Sequence, residues 1–160
     1  MKLYVAGPMR GMPQYNRAAF EANAYVLRQA GYDVVTPIEV DRRVDPAFDH
    51  AIHVATPKQI ARFQAESMAE LARCDGVALL PGWRGSVGTM QEIDLACSLR
   101  IPCGELPVWL WVAAKTGHRD AVRQAAEIIR RYVKETPVGS QPPMIVGAAR
   151  AWLAKNGKAR

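Results

Sequence analysis

The sequence predicts an α/β domain: a parallel sheet of four to five strands flanked by helices. Three observations carry this. Short β-prone runs at Lys2–Ala6, Asp33–Thr36 and Gly76–Leu80 are separated by stretches of helical periodicity instead of hairpin turns. The first two runs enclose a loop and a helix, and such a β–loop–α–β unit requires a right-handed crossover between parallel strands. Apolar residues make up 49% of a 160-residue chain, enough for the core of one domain. Together these describe a Rossmann-like sheet, with small-molecule sites expected at the carboxyl ends of its strands.

The first strand, Lys2–Ala6, reads as the central one, and it runs into Gly7-Pro8-Met9-Arg10-Gly11. Glycines at both ends of that loop permit a tight turn and close approach to a ligand. Arg10 between them suits a phosphate or carboxylate, or it is a surface arginine in a turn. Asn16 is the expected N-cap of a helix on which Ala19, Phe20, Asn23, Ala24, Leu27 and Ala30 share one face, closed by Gly31. Pro37 ends the second strand. The polar, proline-broken stretch Glu39–Thr56 reads as a long loop with one helical turn at most, placed to fold over the site as a lid. Thr56 as N-cap and Pro57 at the first helical position start the next helix, which runs through Ile60, Phe63, Met68 and Leu71 to about Arg73.

The stretch Arg73–Leu99 concentrates the chemistry. It reads as the buried strand Gly76–Leu80, a glycine-rich loop Pro81–Gly88, and a helix from near Thr89 with Ile93, Ala96 and Cys97 on its buried face. Ser86, Gly88 and the helix start form a candidate anion cradle of hydroxyl, backbone N–H groups and positive helix end. Glu92 lies close to that helix end, where a carboxylate tends to stay ionised. It is then either a nucleophile towards an anomeric carbon or, in the T-x-x-E spacing with Thr89, a capping carboxylate. Trp83 stacks on a base, covers the sheet edge or packs at a dimer contact. The loop lacks the GKS/T ending of a P-loop, and no GxGxxG follows the first strand. Ile101–Cys103 is the expected fourth strand, and Leu106–Ala114 is a fifth strand or a buried helix.

Composition narrows the function classes. Cys74, Cys97 and Cys103 show no metal-binding or redox spacing and read as small buried hydrophobes. His50, His53 and His118 are too scattered for a metal set. No apolar run reaches membrane-spanning length, and MKLYVAG reads as a strand and not a signal peptide, so a cytoplasmic location is expected. Charge divides the chain. Residues 1–114 carry 11 Lys+Arg and 12 Asp+Glu, a net of −1. Residues 115–160 carry 10 and 3, a net of +7. The expected organisation is an α/β domain over 1–114 and a basic helical extension over 115–160 packed on the same domain. The extension includes an amphipathic stretch Arg119–Val133, a proline-rich linker Pro137–Pro143 and a last helix near Met144–Ala154. Its charge suits a solvated helix face or contact with nucleic acid or an acidic partner.

YVAGPMRG at Tyr4–Gly11, VVTP-x-E at Val34–Glu39, CDGVALLPGW at Cys74–Trp83 and SVGTMQEIDLA at Ser86–Ala96 resemble the nucleoside 2-deoxyribosyltransferase-like superfamily. The likeness covers residues 1 to about 105 and is nearest to a branch common in bacterial and phage genomes. It implies cleavage or exchange of an N-glycosidic bond, with Glu92 at the position of the nucleophile and Tyr4 at that of a tyrosine meeting sugar and nucleophile. Ser86, where nucleoside enzymes of this kind carry an aspartate, and Arg10 match phosphate-side positions. The resemblance therefore implies nucleoside 5′-monophosphate substrates, 2′-deoxy by expectation, no metal or organic cofactor, and a homodimer or higher homo-oligomer. One position departs: the acid that helps the base leave is matched by Ser67, and the neighbouring Glu66 reaches the site only if its helix is rotated. The expected site is Glu92, Tyr4 and Glu66 for catalysis, with Gly7, Arg10, Gly11, Trp83, Ser86 and Gly88 for binding. The departure keeps a second reading open, a non-catalytic nucleotide-binding or sensing module. A nucleic-acid accessory role rests only on the basic tail and ranks last, since the aromatic–basic interleaving of single-strand binders is missing.

Overall fold

The computed structural model describes residues 1–117. Its centre is a four-stranded, wholly parallel sheet in the order β2-β1-β3-β4. The strands are β1 (Lys2–Ala6), β2 (Asp33–Val35), β3 (Gly76–Leu79) and β4 (Cys103–Glu105). The helices are α1 (Arg17–Gln29), α2 (Pro37–Val44), α3 (Pro57–Leu71), α4 (Val87–Ser98) and α5 (Leu106–Lys115). None of these helices is long and apolar enough to cross a membrane.

Alternation along the strands divides the core in two. Leu3, Val5, Ala78 and Leu80 face a cluster with Phe20 and Leu27 of α1 and Trp109 and Leu110 of α5. Tyr4, Ala6, Val77 and Leu79 face the other side, with Val40 of α2, Leu71 of α3 and Ala96 of α4. The two inner strands are buried on both faces, which is why their sequences are apolar at successive positions. The amino end of the sheet is tied by the Lys2 backbone N–H, which donates to Asp75 at 2.6 Å, so Asp75 is structural.

Several local expectations are corrected. The segment after β2 is not a continuous loop. Thr36 caps α2, accepting from the Glu39 N–H while the Glu39 carboxylate returns to the Thr36 N–H, with Pro37 at the helix start. The same capping box, with Gln59 in the place of the glutamate, starts α3 at Thr56. The remainder, residues 45–56, is anchored: the Ala55 N–H donates to the Tyr15 hydroxyl at 2.8 Å, and Phe48 and His50 are buried. Asn16 precedes α1 as expected, but its side chain does not cap the helix. It donates to the Pro8 carbonyl at 3.0 Å. Gln14, Tyr15 and Asn16 all have positive φ, at 48°, 53° and 61°, an unfavourable run for residues with a Cβ.

Helix α4 begins at Val87, with Ser86 as N-cap, so Thr89 lies inside the first turn and does not cap it. Cys97 on this helix is exposed, Cys74 is buried and Cys103 is half-buried. The fourth strand forms at Cys103–Glu105, two residues later than expected. Leu106–Lys115 is a helix, started by Pro107 and docked by Trp109. The Trp109 indole N–H lies 3.1 Å from the Val77 carbonyl and 3.0 Å from that of Gly104. The stretches Arg119–Val133, Pro137–Pro143 and Met144–Ala154, and nearly all of the basic extension, lie outside the described residues.

That docking dictates a glycine. A Cβ at Gly76 would overlap the Trp109 indole and the Leu3 side chain, whereas one at Gly85 would meet nothing within 4 Å. Gly76→Ala is expected to lower stability by about 1–3 kcal/mol, and Gly85→Ala by less than about 0.5 kcal/mol, read as shifts of the urea unfolding midpoint.

Candidate functional site

A cavity of about 360 Å³ opens at the carboxyl ends of β1 and β3, a size suited to a small molecule. Its walls come from the loop after β1 (Gly7–Arg10), Tyr15, α2 (Pro37 and Asp41), the following loop (Phe48 and Ala55), α3 (Ile60, Phe63, Gln64 and Ser67) and the start of α4 (Gly85–Thr89 and Glu92). The topology explains the place. With β1 and β3 adjacent and both crossing over to helices, their outgoing loops part and leave a crevice between them.

The floor is a hydrogen bond between the central strand and α4. The Tyr4 hydroxyl donates to Glu92 Oε1 at 2.7 Å, and Tyr4 is completely buried. Burial pushes the Tyr4 hydroxyl well above its ordinary range, helped by the nearby Glu92 charge and opposed by hydrogen bonding with Ser67. Burial also pushes the Glu92 carboxyl up to about 7; the Tyr4 hydrogen bond pulls it down and the charge of Asp41 pushes it further up. Glu92 is therefore divided between its two forms at neutral pH, not held ionised by the helix end. It lies six residues beyond the N-cap, about 9 Å along the axis, where the helix-end field has faded. It does not form a capping box with Thr89.

The start of α4 supplies the cavity with donors that an anion could meet. Ser86 Oγ accepts from the Thr89 N–H at 3.3 Å and from the Thr89 hydroxyl at 2.9 Å. Its own O–H proton is free to point outward, and the N–H groups of Val87 and Gly88 have no intrahelical acceptor. Arg10 stands at the rim, exposed, with Nη2 3.3 Å from Gln64 Oε1. Gly7 serves packing more than turning, since a Cβ there would collide with the Leu80 side chain. Part of the wall is aromatic. Phe48 and Phe63 meet at 5.2 Å between ring centroids, and Tyr15 and Phe48 at 6.0 Å.

The structure brings Glu92, Gly7, Arg10, Ser86 and Gly88 to the cavity wall, with Tyr4 fully buried behind it and joined to it through its hydrogen bond to Glu92. It does not bring in the other three expected residues. Glu66 is exposed on α3, and its neighbour Ser67 lines the cavity, because one step along a helix turns a side chain by about 100°. Trp83 lies outside the cavity: its indole N–H points to Glu105 Oε1 at 3.3 Å, and the Arg84 guanidinium covers its ring at 4.1 Å. Gly11 supplies a left-handed turn (φ 75°) and does not line the wall. Sequence reasoning missed Asp41, Tyr15 and Phe48. The capping box at Thr36 was the available signal, since a helix starting at Pro37 puts Pro37 and Asp41, four apart, on one face. Among the described residues no three His, Cys, Asp or Glu side chains converge as a metal ion would require.

The raised Glu92 carboxyl has a consequence for stability. Folding lifts it from an ordinary 4.5 to about 7, so the folded chain holds the proton more tightly than the unfolded one. The resulting stability is complete below pH 4.5 and is lost as pH rises through 7, on the order of 2–3 kcal/mol by pH 8. Glu92→Gln, which cannot ionise but still accepts from Tyr4, is expected to be more stable than the wild type by that amount at pH 8. At pH 4.5 the two should be nearly equal, with urea unfolding at both pH values as the measurement.

A search of curated proteins finds no match to the chain. A family model described as a domain of unknown function, DUF4406, matches residues 1–103, the stretch that contains the whole sheet up to β4 and every wall of the cavity, and the chain belongs to that family.

Proposed function

We propose that this chain cleaves, or exchanges the base of, nucleoside 5′-monophosphates, 2′-deoxy by preference, with Glu92 as nucleophile. The observation that carries the reading is the Tyr4–Glu92 pair at a cavity whose wall includes both the start of a helix and a group of aromatic side chains. The resemblance of the Tyr4–Gly11 and Ser86–Ala96 motifs to the nucleoside 2-deoxyribosyltransferase-like superfamily supports the same chemistry. In this reading the phosphate is held by Ser86, the N–H groups of Val87 and Gly88, and Arg10. The ionised Glu92 carboxylate attacks C1′ as the base departs, and Tyr4 holds the carboxylate in line. Water or an incoming base then releases the sugar. The homodimer implied by the resemblance belongs to this proposal, and Val87, 75% exposed beside the cavity, offers it an apolar rim.

A second reading, nucleotide binding without cleavage, is favoured by Ser67, a serine where the resemblance calls for the acid that aids departure of the base. One assay separates the two. The purified protein is incubated with each deoxy- and ribonucleoside 5′-monophosphate, and free base is followed by chromatography. Base release that falls about 10³-fold or more in Glu92→Ala is expected; tight binding with no release would establish the sensor. Only the ionised carboxylate attacks, so kcat is expected to climb as pH rises through about 7. Gly88→Asp tests the phosphate end. A Cβ there meets nothing within 4 Å, so the fold should be unaffected, while a carboxylate facing the phosphate should raise KM by about tenfold or more. An unchanged KM would remove Gly88 from the phosphate site.

A further inference from the structure

A guanidinium at a cavity rim serves a phosphate best under two conditions: its charge is not already paired, and little of its motion remains to be frozen when the ligand arrives. Arg10 meets the first. It is the only Lys, Arg or His among the residues lining the cavity, and it forms no ion pair among the described residues. Asp41 and Glu92 line the same cavity, and neither pairs with it. By contrast Arg17, Arg28, Arg43, Arg73 and Arg84 each lie beside a carboxylate.

The second condition is met by an amide. Arg10 Nη2 donates to Gln64 Oε1 at 3.3 Å, from the loop after β1 to the middle of α3. Gln64 Nε2 donates in turn to Gln91 Oε1 on α4. The two contacts fix the Gln64 amide. Its NH₂ group could not face a guanidinium, since both only donate, so the carbonyl turns to Arg10 and the NH₂ to Gln91. Gln64 is half-buried and lines the cavity, three residues before Ser67 and on the same face of α3. The chain Arg10–Gln64–Gln91 thus ties together three segments whose residues meet at the cavity. A neutral acceptor suits this position. A carboxylate there would hold Arg10 as firmly, but it would pair with the guanidinium charge and repel an incoming dianion. An amide holds the side chain and leaves its charge for the ligand.

We propose that Gln64 is a positioning residue for Arg10: it fixes Arg10 as an unpaired cation and so makes the cavity select a phosphomonoester over the same molecule without its phosphate. This rests on the phosphate contacts of the reading given above and not on its cleavage step.

The test measures binding, which separates it from turnover. Glu92→Gln, which lacks the nucleophile, is the background. Isothermal titration calorimetry gives the Kd of each deoxynucleoside 5′-monophosphate and of the matching deoxynucleoside. The background is expected to prefer the monophosphate by about tenfold or more. Gln64→Met, apolar and similar in volume, should lower that preference by about two- to tenfold and leave the nucleoside Kd unchanged. Gln64→Glu should lower it further, and it supplies the comparison if thermal melting shows Gln64→Met unfolded. Arg10→Ala should lower it at least as far as Gln64→Met, and adding Gln64→Met to Arg10→Ala should change nothing more, because Gln64 acts through Arg10. An undiminished preference in Gln64→Met or Gln64→Glu, equal weakening of both ligands, or losses that add in the double variant would overturn the role of Gln64. A background that binds monophosphate and nucleoside alike removes the phosphate contacts, and this inference with them. The expected pattern in a protein whose wild type releases no base would uphold Gln64 and remove only the cleavage step.

Discussion

The hydrogen bond from Tyr4 to Glu92 joins the central strand to the helix that follows β3, and the candidate site is arranged about it. Tyr4 belongs to an inner strand, and its face of the sheet is shared by α2, α3 and α4. The hydroxyl therefore emerges where three helices meet, which brings Glu92, Ser67 and Asp41 around one space. Moving the tyrosine to an adjacent strand position would turn it to the face covered by α1 and α5. The site depends on strand parity before it depends on any side-chain chemistry.

Burial sets the proton affinities in that space, and it is unfavourable to folding. Tyr4, Glu92 and Asp41 all have their proton-bearing forms favoured by desolvation, opposed by Ser67 at Tyr4, by the Tyr4 hydrogen bond at Glu92 and by His50 at Asp41. The three positive-φ residues Gln14–Asn16 add backbone strain at the same wall. Sites that hold such groups are drawn from arrangements that a purely structural core would avoid. Outside the cavity, by contrast, carboxylates are paired in the ordinary way, as in Glu70 with Lys2 and Arg43.

Two parts of the cavity wall have different physical origins. One is made by main chain: a helix start whose N–H groups exist whatever the side chains are, capped by Ser86. The aromatic part is made by side chains from distant segments, Tyr15, Phe48 and Phe63, gathered by the anchored stretch 45–56.

The sequence by itself determined the parallel α/β arrangement, because strand runs and helical periodicity alternate along the chain, and it marked Ser86, Gly88, Arg10 and Glu92, because loops after parallel strands meet at one edge. The start of α3 was equally legible, since a capping threonine followed by proline is a local signal. What only the tertiary structure decided was rotation about helix axes and pairing between distant segments. Glu66 and Ser67 are neighbours in sequence, but packing of α3 against the sheet turns the serine inward and the glutamate out. Trp83 sits in the right loop and faces β4 instead of the cavity. Asp41 and His50 are nine residues apart, in a stretch whose polarity reads as loop, and they become a buried pair only because α2 forms and the chain after it folds back under Tyr15 and Phe48. Such contacts are set by the summed packing of several elements, and no local pattern encodes them.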